Sequence, residues 1–123
     1  MTTEEFYKSI GGDAAEVLGR LPGIKFVKKF VSKFPDDGSF KFLCESMENG
    51  NREDAFRAAH TLKGVCQNLG LGTLLSSAEE LTEDLRGGSE EIPGKAYELL
   101  ERVKKDYEET ISAIEVYIST NAE

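Results

Sequence analysis

The stretch NREDAFRAAHTLKGVCQNLG, residues 51–70, has the pattern of a single amphipathic helix, and it decides how the rest of the chain is interpreted. Asn51 is a candidate N-cap, Asp54 occupies a capping-box-like position, and Gly70 ends the segment. We therefore predict a helix that starts after Asn51 and runs to about residue 69. At about 100° per residue its apolar side chains share one face, which we predict to be the core face: Ala55, Ala59, Leu62, Cys66 and Leu69.

Helical periodicity continues on both sides of this segment. Two short segments within residues 1–21 are separated by Gly11 and Gly12, and Asp13 is the candidate N-cap of the second. Further helical patterns cover residues 24–34, 40–47, 74–85 and 93–118. The last pattern carries one apolar stripe: Ala96, Leu100, Val103, Tyr107, Ile111, Ile114 and Ile118.

Short connections between these segments favour antiparallel neighbours. Residues 34–38 (FPDDG) form a turn signal, and Gly87–Gly88 closes the pattern of residues 74–85. We predict an all-α fold, an antiparallel up-down four-helix bundle with additional short N-terminal helices. The whole chain, residues 1–123, is expected to form one domain, with the short helices in residues 1–21 and the bundle in residues 23–120.

Composition narrows the classes of function. The 123 residues include 15 Lys or Arg and 23 Asp or Glu, which gives a formal net charge of −8. This excess opposes binding to nucleic acid or anionic membranes, which need a positive field. The N-terminal residues are too polar for a signal peptide, and no apolar run approaches the ~18 residues of a membrane span. Cys44 and Cys66 therefore predict reduced, buried thiols in a cytoplasmic protein.

His60, the only histidine of the chain, falls outside the predicted core face. It lies about 140° from Ala55 on the helical wheel, and Gly64 lies about 180° away. Gln67 and Lys63 share this side, at about 120° and 80°. The helical wheel therefore excludes a core role for His60. An exposed histidine can still be an ordinary surface residue without a function, and only the residues around it can distinguish the two possibilities.

Gly64 is the neighbour whose presence inside a helix has to be explained. A glycine inside a helix costs roughly 0.5–1 kcal/mol relative to alanine, and solubility does not require it. Its missing side chain leaves space for a group that approaches the imidazole. Lys63 and Arg57 flank His60 and could compensate an anion on the ring, although Lys63 is also an ordinary surface lysine and Arg57 also matches an ion pair with Glu53.

The remaining residue types argue against self-contained catalysis. The chain has no Gly-x-Ser-x-Gly motif, no second histidine and no nucleotide-binding glycine-rich loop. His60 and Cys66 lie about 120° apart, so they cannot share a zinc ion from one helix. What remains is an exposed imidazole used as a nucleophile toward an activated group that a partner delivers. A phosphoryl group would suit the site, because Lys63 could act as its counter-charge, Gly64 leaves room for it, and a partner can supply the positioning.

His60-Thr61-Leu62-Lys63-Gly64, followed by Asn68-Leu69-Gly70, resembles the signature of histidine-containing phosphotransfer (HPt) domains. Residues 55–59, residues 34–37 and residues 78–86 are similar to the same family, so the resemblance covers most of the chain. It implies a phosphoryl carrier, rather than an enzyme, in the phosphorelays of two-component signalling. A bacterial source is expected, because such relays are commonest in bacteria.

The resemblance also implies a role for each matching residue. His60 would be the phosphoacceptor, which takes a phosphoryl group from a receiver-domain aspartate and passes it to another receiver. Lys63 would neutralise the phosphate, and Gly64 would give steric access. The implied partners are response-regulator receiver domains and a (hybrid) histidine kinase. No cofactor is expected in this chain, since the Mg²⁺ used in transfer belongs to the receiver.

One position departs from the family pattern. Many members carry a Gln or Glu on the following helix that hydrogen-bonds the imidazole, whereas the spacing from His60 puts Thr82 there. Thr82 has a shorter reach, and Glu79, one turn earlier, is the alternative. Gln67 is a further candidate for contact with the phosphate or the receiver, and its other interpretation is an ordinary surface residue.

Other functions stay open from the sequence. A non-catalytic four-helix adaptor would bind receiver or signalling proteins without phosphotransfer, and the missing second histidine argues against a metal-binding bundle. For partner binding we predict a docking surface that includes Phe56 and Arg57, although Phe56 could instead pack under a neighbouring helix. We expect the protein to be a monomer.

Overall fold

The computed structural model describes residues 1–87 and 90–120, so Gly88 of the predicted helix end lies outside the described residues. This part of the chain is mostly helical and contains no strand, which confirms the predicted all-α class. A single 3₁₀ turn, Phe34–Asp36, joins α3 to α4. In chain order the helices are α1 (Thr3–Ser9), α2 (Ala14–Leu18), α3 (Ile24–Lys33), α4 (Ser39–Glu48), α5 (Arg52–Leu69), α6 (Gly72–Leu85) and α7 (Gly94–Ile118).

Local chemistry at its two ends sets the limits of α5. Asn51 Oδ1 accepts a hydrogen bond from the Asp54 backbone N–H at 3.0 Å, so Asn51 is the N-cap. The capping-box prediction is only half right, because Asp54 accepts from the Asn51 side-chain amide and not from its backbone. The Asn51 backbone N–H donates to Ser46 instead. Gly70, with φ of 72°, ends the helix in the left-handed conformation.

Helices α4 to α7 form the predicted up-down bundle. Each packs against the next along the chain, and side chains of α7 contact α4. There the Tyr97 hydroxyl donates to the Met47 carbonyl oxygen at 3.1 Å, and the Phe40 and Tyr107 rings stack at 3.8 Å. Residue numbers rise on one helix as they fall on the other, so α4 and α7 are antiparallel.

The N-terminal helices pack against the end of α5, the helix that carries His60. The Tyr7 hydroxyl donates to the Leu69 carbonyl oxygen at 2.7 Å, which satisfies one of the unpaired carbonyls at this helix end. The chain passes so close to α6 that a Cβ on Gly72 would collide with the Gly11 carbonyl oxygen. Asp13 caps α2 as predicted, since its carboxylate accepts from the Ala15 backbone N–H at 3.0 Å.

The last turn of α7 differs from the predicted apolar stripe. Ile118 is 44% exposed, whereas Tyr117 is fully buried. The Tyr117 ring stacks on Phe6 of α1 at 4.5 Å, and its hydroxyl hydrogen-bonds the Thr3 hydroxyl at 2.7 Å. Because α1 covers this end of α7, Tyr117 is buried there and Ile118 is exposed. The periodicity of α7 alone does not specify where α1 lies.

Candidate functional site

The structure places His60 on the solvent side of α5. Its exposed companions Thr61, Gly64, Gln67 and Asn68 define the outer face of α5. The opposite face is buried, apart from Leu69, which is half-buried. Packing of the inner face therefore fixes the direction in which the imidazole points: Ala55, Ala58, Ala59, Leu62 and Cys66.

Space around Gly64 is open. A Cβ built on this glycine would meet no heavy atom within 4 Å outside the neighbouring helix backbone. No side chain or backbone of the described chain therefore needs Gly64 for close packing, in contrast to Gly72. The helix carries an unfavourable residue one turn beyond His60 without an internal packing reason.

Phe56 lies between His60 and the end of α6. Its ring is nearly parallel to the imidazole, with centroids 6.0 Å apart and an interplanar angle of 13°. The Arg86 guanidinium, which follows α6, lies 5.0 Å from the Phe56 centroid at a cation–π distance. Phe56 is half-buried, so part of its ring is accessible, and its role in partner docking stays a prediction.

Glu83 brings an acidic side chain of α6 into the same region. Arg86 Nε and Nη2 donate to its two carboxylate oxygens at 3.0 and 3.1 Å. These hydrogen bonds hold the pKa of Glu83 below its ordinary value, and electrostatic interactions with the nearby Arg86 and Lys63 side chains lower it further. Neither Glu83 nor Arg86 was predicted from the sequence as a site residue. They could have been predicted by aligning the antiparallel helices α5 and α6 on either side of the turn at Gly70.

The two residues predicted to orient His60 lie elsewhere. Thr82 is fully buried, and its hydroxyl donates to the Ala78 carbonyl oxygen at 2.7 Å. Glu79 is exposed and lines a groove between α6 and α7 with Lys95. Within residues 1–87 and 90–120, neither side chain hydrogen-bonds the imidazole, and their predicted roles stay predictions.

The two cations that flank His60 differ in their surroundings. Arg57 is exposed, and its Nη2 lies 2.7 Å from Asp54 and 3.9 Å from Glu53, so carboxylates of its own helix already engage it. Lys63 is half-buried, and its Nζ has no carboxylate within 4.0 Å in the described part of the chain. Lys63 is therefore available to an anion. The Gln67 side chain is exposed, and its backbone carbonyl accepts from Arg20 at 3.1 Å.

Exposed phenylalanines border the outer face of α5 on the side opposite α6. Phe42 of α4 is 43% exposed and lines a shallow groove with Arg57, Ala58 and Thr61. Phe30 of α3 is 39% exposed and lines a second groove with Val65 and Asn68. The two flanks of His60 thus differ in chemistry: aromatic toward α3 and α4, and charged toward α6.

Comparison with known families gives a match to the Hpt domain over residues 26–114, which includes His60 and most of the bundle. The chain belongs to the Hpt domain family. Hpt domains are phosphocarriers rather than classical enzymes; they serve histidine phosphotransfer in two-component signalling and interact with receiver domains and kinases. Searches of curated proteins and of solved structures gave no match.

Two kinds of feature are absent from the described residues. None of their helices is both long enough and apolar enough to cross a bilayer. Their His, Cys, Asp and Glu side chains form no group of three or more that could hold a metal ion.

Proposed function

We propose that His60 accepts a phosphoryl group from the aspartate of one receiver domain and passes it to another receiver in a phosphorelay. The observation that carries this proposal is the open space at Gly64 beside an outward imidazole. A helix glycine with no internal packing role is explained if a partner's active site must close over the ring. Membership of the Hpt domain family supports the same conclusion.

The imidazole is the group of this chain that forms and breaks a covalent bond in the transfer step. The unprotonated ring nitrogen attacks the phosphorus of the receiver's acyl phosphate, and the other nitrogen keeps its proton. A nitrogen–phosphorus bond forms as the phosphorus–oxygen bond breaks, and the electron pair of that bond leaves with the receiver carboxylate. The reverse sequence loads the second receiver. Lys63 neutralises charge on the transferred group, and we assign the Mg²⁺ of the reaction to the receiver.

We assign receiver docking to the outer face of α5 and its aromatic flank. Phe42 and Phe30 supply exposed apolar area on one side of the face, and apolar area drives association. Phe56 and Arg57 extend the surface around His60. Because Arg57 is exposed and charged, we expect affinity for the receiver to fall as salt rises.

We propose a monomeric bacterial protein that works in the cytoplasm with a (hybrid) histidine kinase and its receivers. Cys66 is buried as predicted, whereas Cys44 is only half-buried, and neither cysteine is paired in a disulfide, which fits a reducing compartment.

The test is phosphoryl transfer from a ³²P-labelled receiver. Wild-type protein should gain an acid-labile, base-stable label, and His60→Gln should gain none. Lys105→Gln is the control, because it introduces the same side chain at an exposed position of α7, outside the proposed docking surface, and should be labelled normally. Full labelling of His60→Gln would exclude the proposal. Receiver binding by a wild-type protein that never gains label would favour the adaptor function instead.

A further inference from the structure

We infer that Arg86 is a second ligand of the phosphoryl group on His60, and that Glu83 holds Arg86 while His60 is unmodified. This inference rests on the proposed function and extends it to a pair of residues on the neighbouring helix. Phosphorylation would move the guanidinium from the Glu83 carboxylate to the phosphoryl oxygens, and transfer to a receiver would return it.

Distances support this exchange. The Arg86 guanidinium lies 5.0 Å from the Phe56 centroid, and that centroid lies 6.0 Å from the centroid of the His60 ring. The guanidinium is therefore no farther from the imidazole than these two distances combined. A phosphoryl group projects beyond the ring, and the arginine side chain rotates about several bonds, so we expect the two to meet without movement of either helix.

The charges of the two possible partners indicate that Arg86 prefers the phosphoryl group to the Glu83 carboxylate. The Glu83 and Arg86 side chains are 60% and 52% exposed, and ion pairs of this kind are weak in water. A doubly charged phosphoryl group is a stronger acceptor, and it accepts two parallel hydrogen bonds from a guanidinium. Lys63 neutralises only one of the two charges, so a second cation is still needed.

Arg86 suits that role better than Arg57. Two carboxylates of α5, Asp54 and Glu53, already surround Arg57, and its groove is on the side of Phe42. Arg86 instead contacts Phe56, the ring that is parallel to the imidazole. Stacking on Phe56 keeps the guanidinium beside the site without fixing its hydrogen-bond partner.

Glu83 has the opposite effect to Arg86 on the phosphorylated state. Once Arg86 has moved to the phosphoryl group, the Glu83 carboxylate loses its partner and lies near a second anion. Like charges repel, so Glu83 disfavours the phosphorylated state and promotes release to the next receiver. Glu83 and Arg86 together would then set how the phosphoryl group divides between this protein and its receiver.

The experiment measures that division at equilibrium with a labelled receiver. Arg86→Gln should lower the ratio of phosphorylated to unmodified His60 by about 3- to 10-fold, the range of one charge-assisted hydrogen bond at an exposed site. Glu83→Gln should raise the ratio about 2- to 5-fold, as expected for the loss of one nearby like charge and of a competitor for Arg86. The effect of Glu83→Gln should shrink in the Arg86→Gln background, because one residue acts partly through the other.

Matched controls come from a second exposed pair, Arg102 and Glu80, which are 3.0 Å apart and join α7 to α6. Arg102→Gln and Glu80→Gln make the same changes in charge and should leave the ratio unchanged. A direct readout is the ³¹P resonance of phosphohistidine. Its titration midpoint should lie at higher pH in Arg86→Gln than in the wild type, because a guanidinium stabilises the dianion.

The outcomes separate the inference from the function on which it rests. Equal ratios for Arg86→Gln and Arg102→Gln, with an unmoved ³¹P titration, would overturn the exchange and leave His60 as phosphoacceptor. Effects of Glu83→Gln that are the same with and without Arg86 would also overturn it. Absence of phosphohistidine in the wild-type protein would overturn both proposals together.

Discussion

Replacement of Gly64 by alanine should make the protein more stable and less active. The added Cβ meets no heavy atom within 4 Å, so the folded protein accepts it without strain. Alanine is favoured over glycine inside a helix by roughly 0.5–1 kcal/mol, and Gly64 is an interior residue of α5. The free energy of unfolding should rise by about that amount, and the melting temperature by roughly 2–6 °C.

Activity should change in the opposite direction, because the same methyl group occupies the approach to His60. The receiver's phosphoryl group must reach the imidazole nitrogen in line, and a displacement of about 1 Å can slow such a reaction by about 100-fold. We expect transfer from a phosphorylated receiver to Gly64→Ala to be roughly 10- to 100-fold slower than to the wild type.

Two other glycines serve as controls in the same assays. Gly94, in the first turn of α7, also has open space, so Gly94→Ala should be tolerated and should transfer at the wild-type rate. Gly72→Ala should be destabilised, since its Cβ would collide with the Gly11 carbonyl oxygen. Unfolding is followed by circular dichroism, and transfer by rapid quench.

Either of two results would contradict the role assigned to Gly64. If Gly64→Ala accepts the phosphoryl group as fast as the wild type, the glycine does not provide access for the receiver. If the variant is instead less stable than the wild type, the space seen beside Gly64 is not free in solution.

Four further results are expected. Asn51→Ala should lower the free energy of unfolding by about 1 kcal/mol through loss of the α5 N-cap, as measured in urea, with transfer unchanged. Lys63→Ala should shorten the lifetime of phosphohistidine in a chase experiment, since no other lysine or arginine lies in the same turn of α5 to neutralise the phosphate. Phe42→Ala should weaken receiver binding in calorimetry, and its melting temperature should change little, because the ring is 43% exposed. Burial raises the pKa of the Cys66 thiol from 9.0 to about 12, so the folded protein keeps a proton that the unfolded chain loses. The free energy of unfolding should therefore fall as pH rises from about 9 to about 12, by up to ~1.4 kcal/mol per pH unit, and Cys66→Ala should flatten this dependence.

Local patterns explain why α5 could be predicted so closely. The N-cap at Asn51, the left-handed Gly70 and the period of the apolar residues are all encoded within one segment. The same reasoning gave the outward direction of His60, because the buried face of a helix fixes its exposed face.

Contacts between distant segments explain the differences. Tyr117 replaces Ile118 in the core because α1 covers the end of α7, and the periodicity of α7 contains no information about α1. Glu83 and Arg86 lie near His60 because of the register between α5 and α6 and the side-chain rotamers chosen there. Counting residues from His60 pointed to Thr82, which faces the core.

The most direct test of the account uses the fact that the chain contains one histidine. Protein labelled with ¹⁵N only at histidine gives the ring-nitrogen signals of His60 and no others. After incubation with a phosphorylated receiver and Mg²⁺, one ring nitrogen should shift and show coupling to ³¹P. Addition of a second, unphosphorylated receiver should restore the original signals. Phosphate incorporated into the protein while the His60 signals stay unchanged would contradict the central claim.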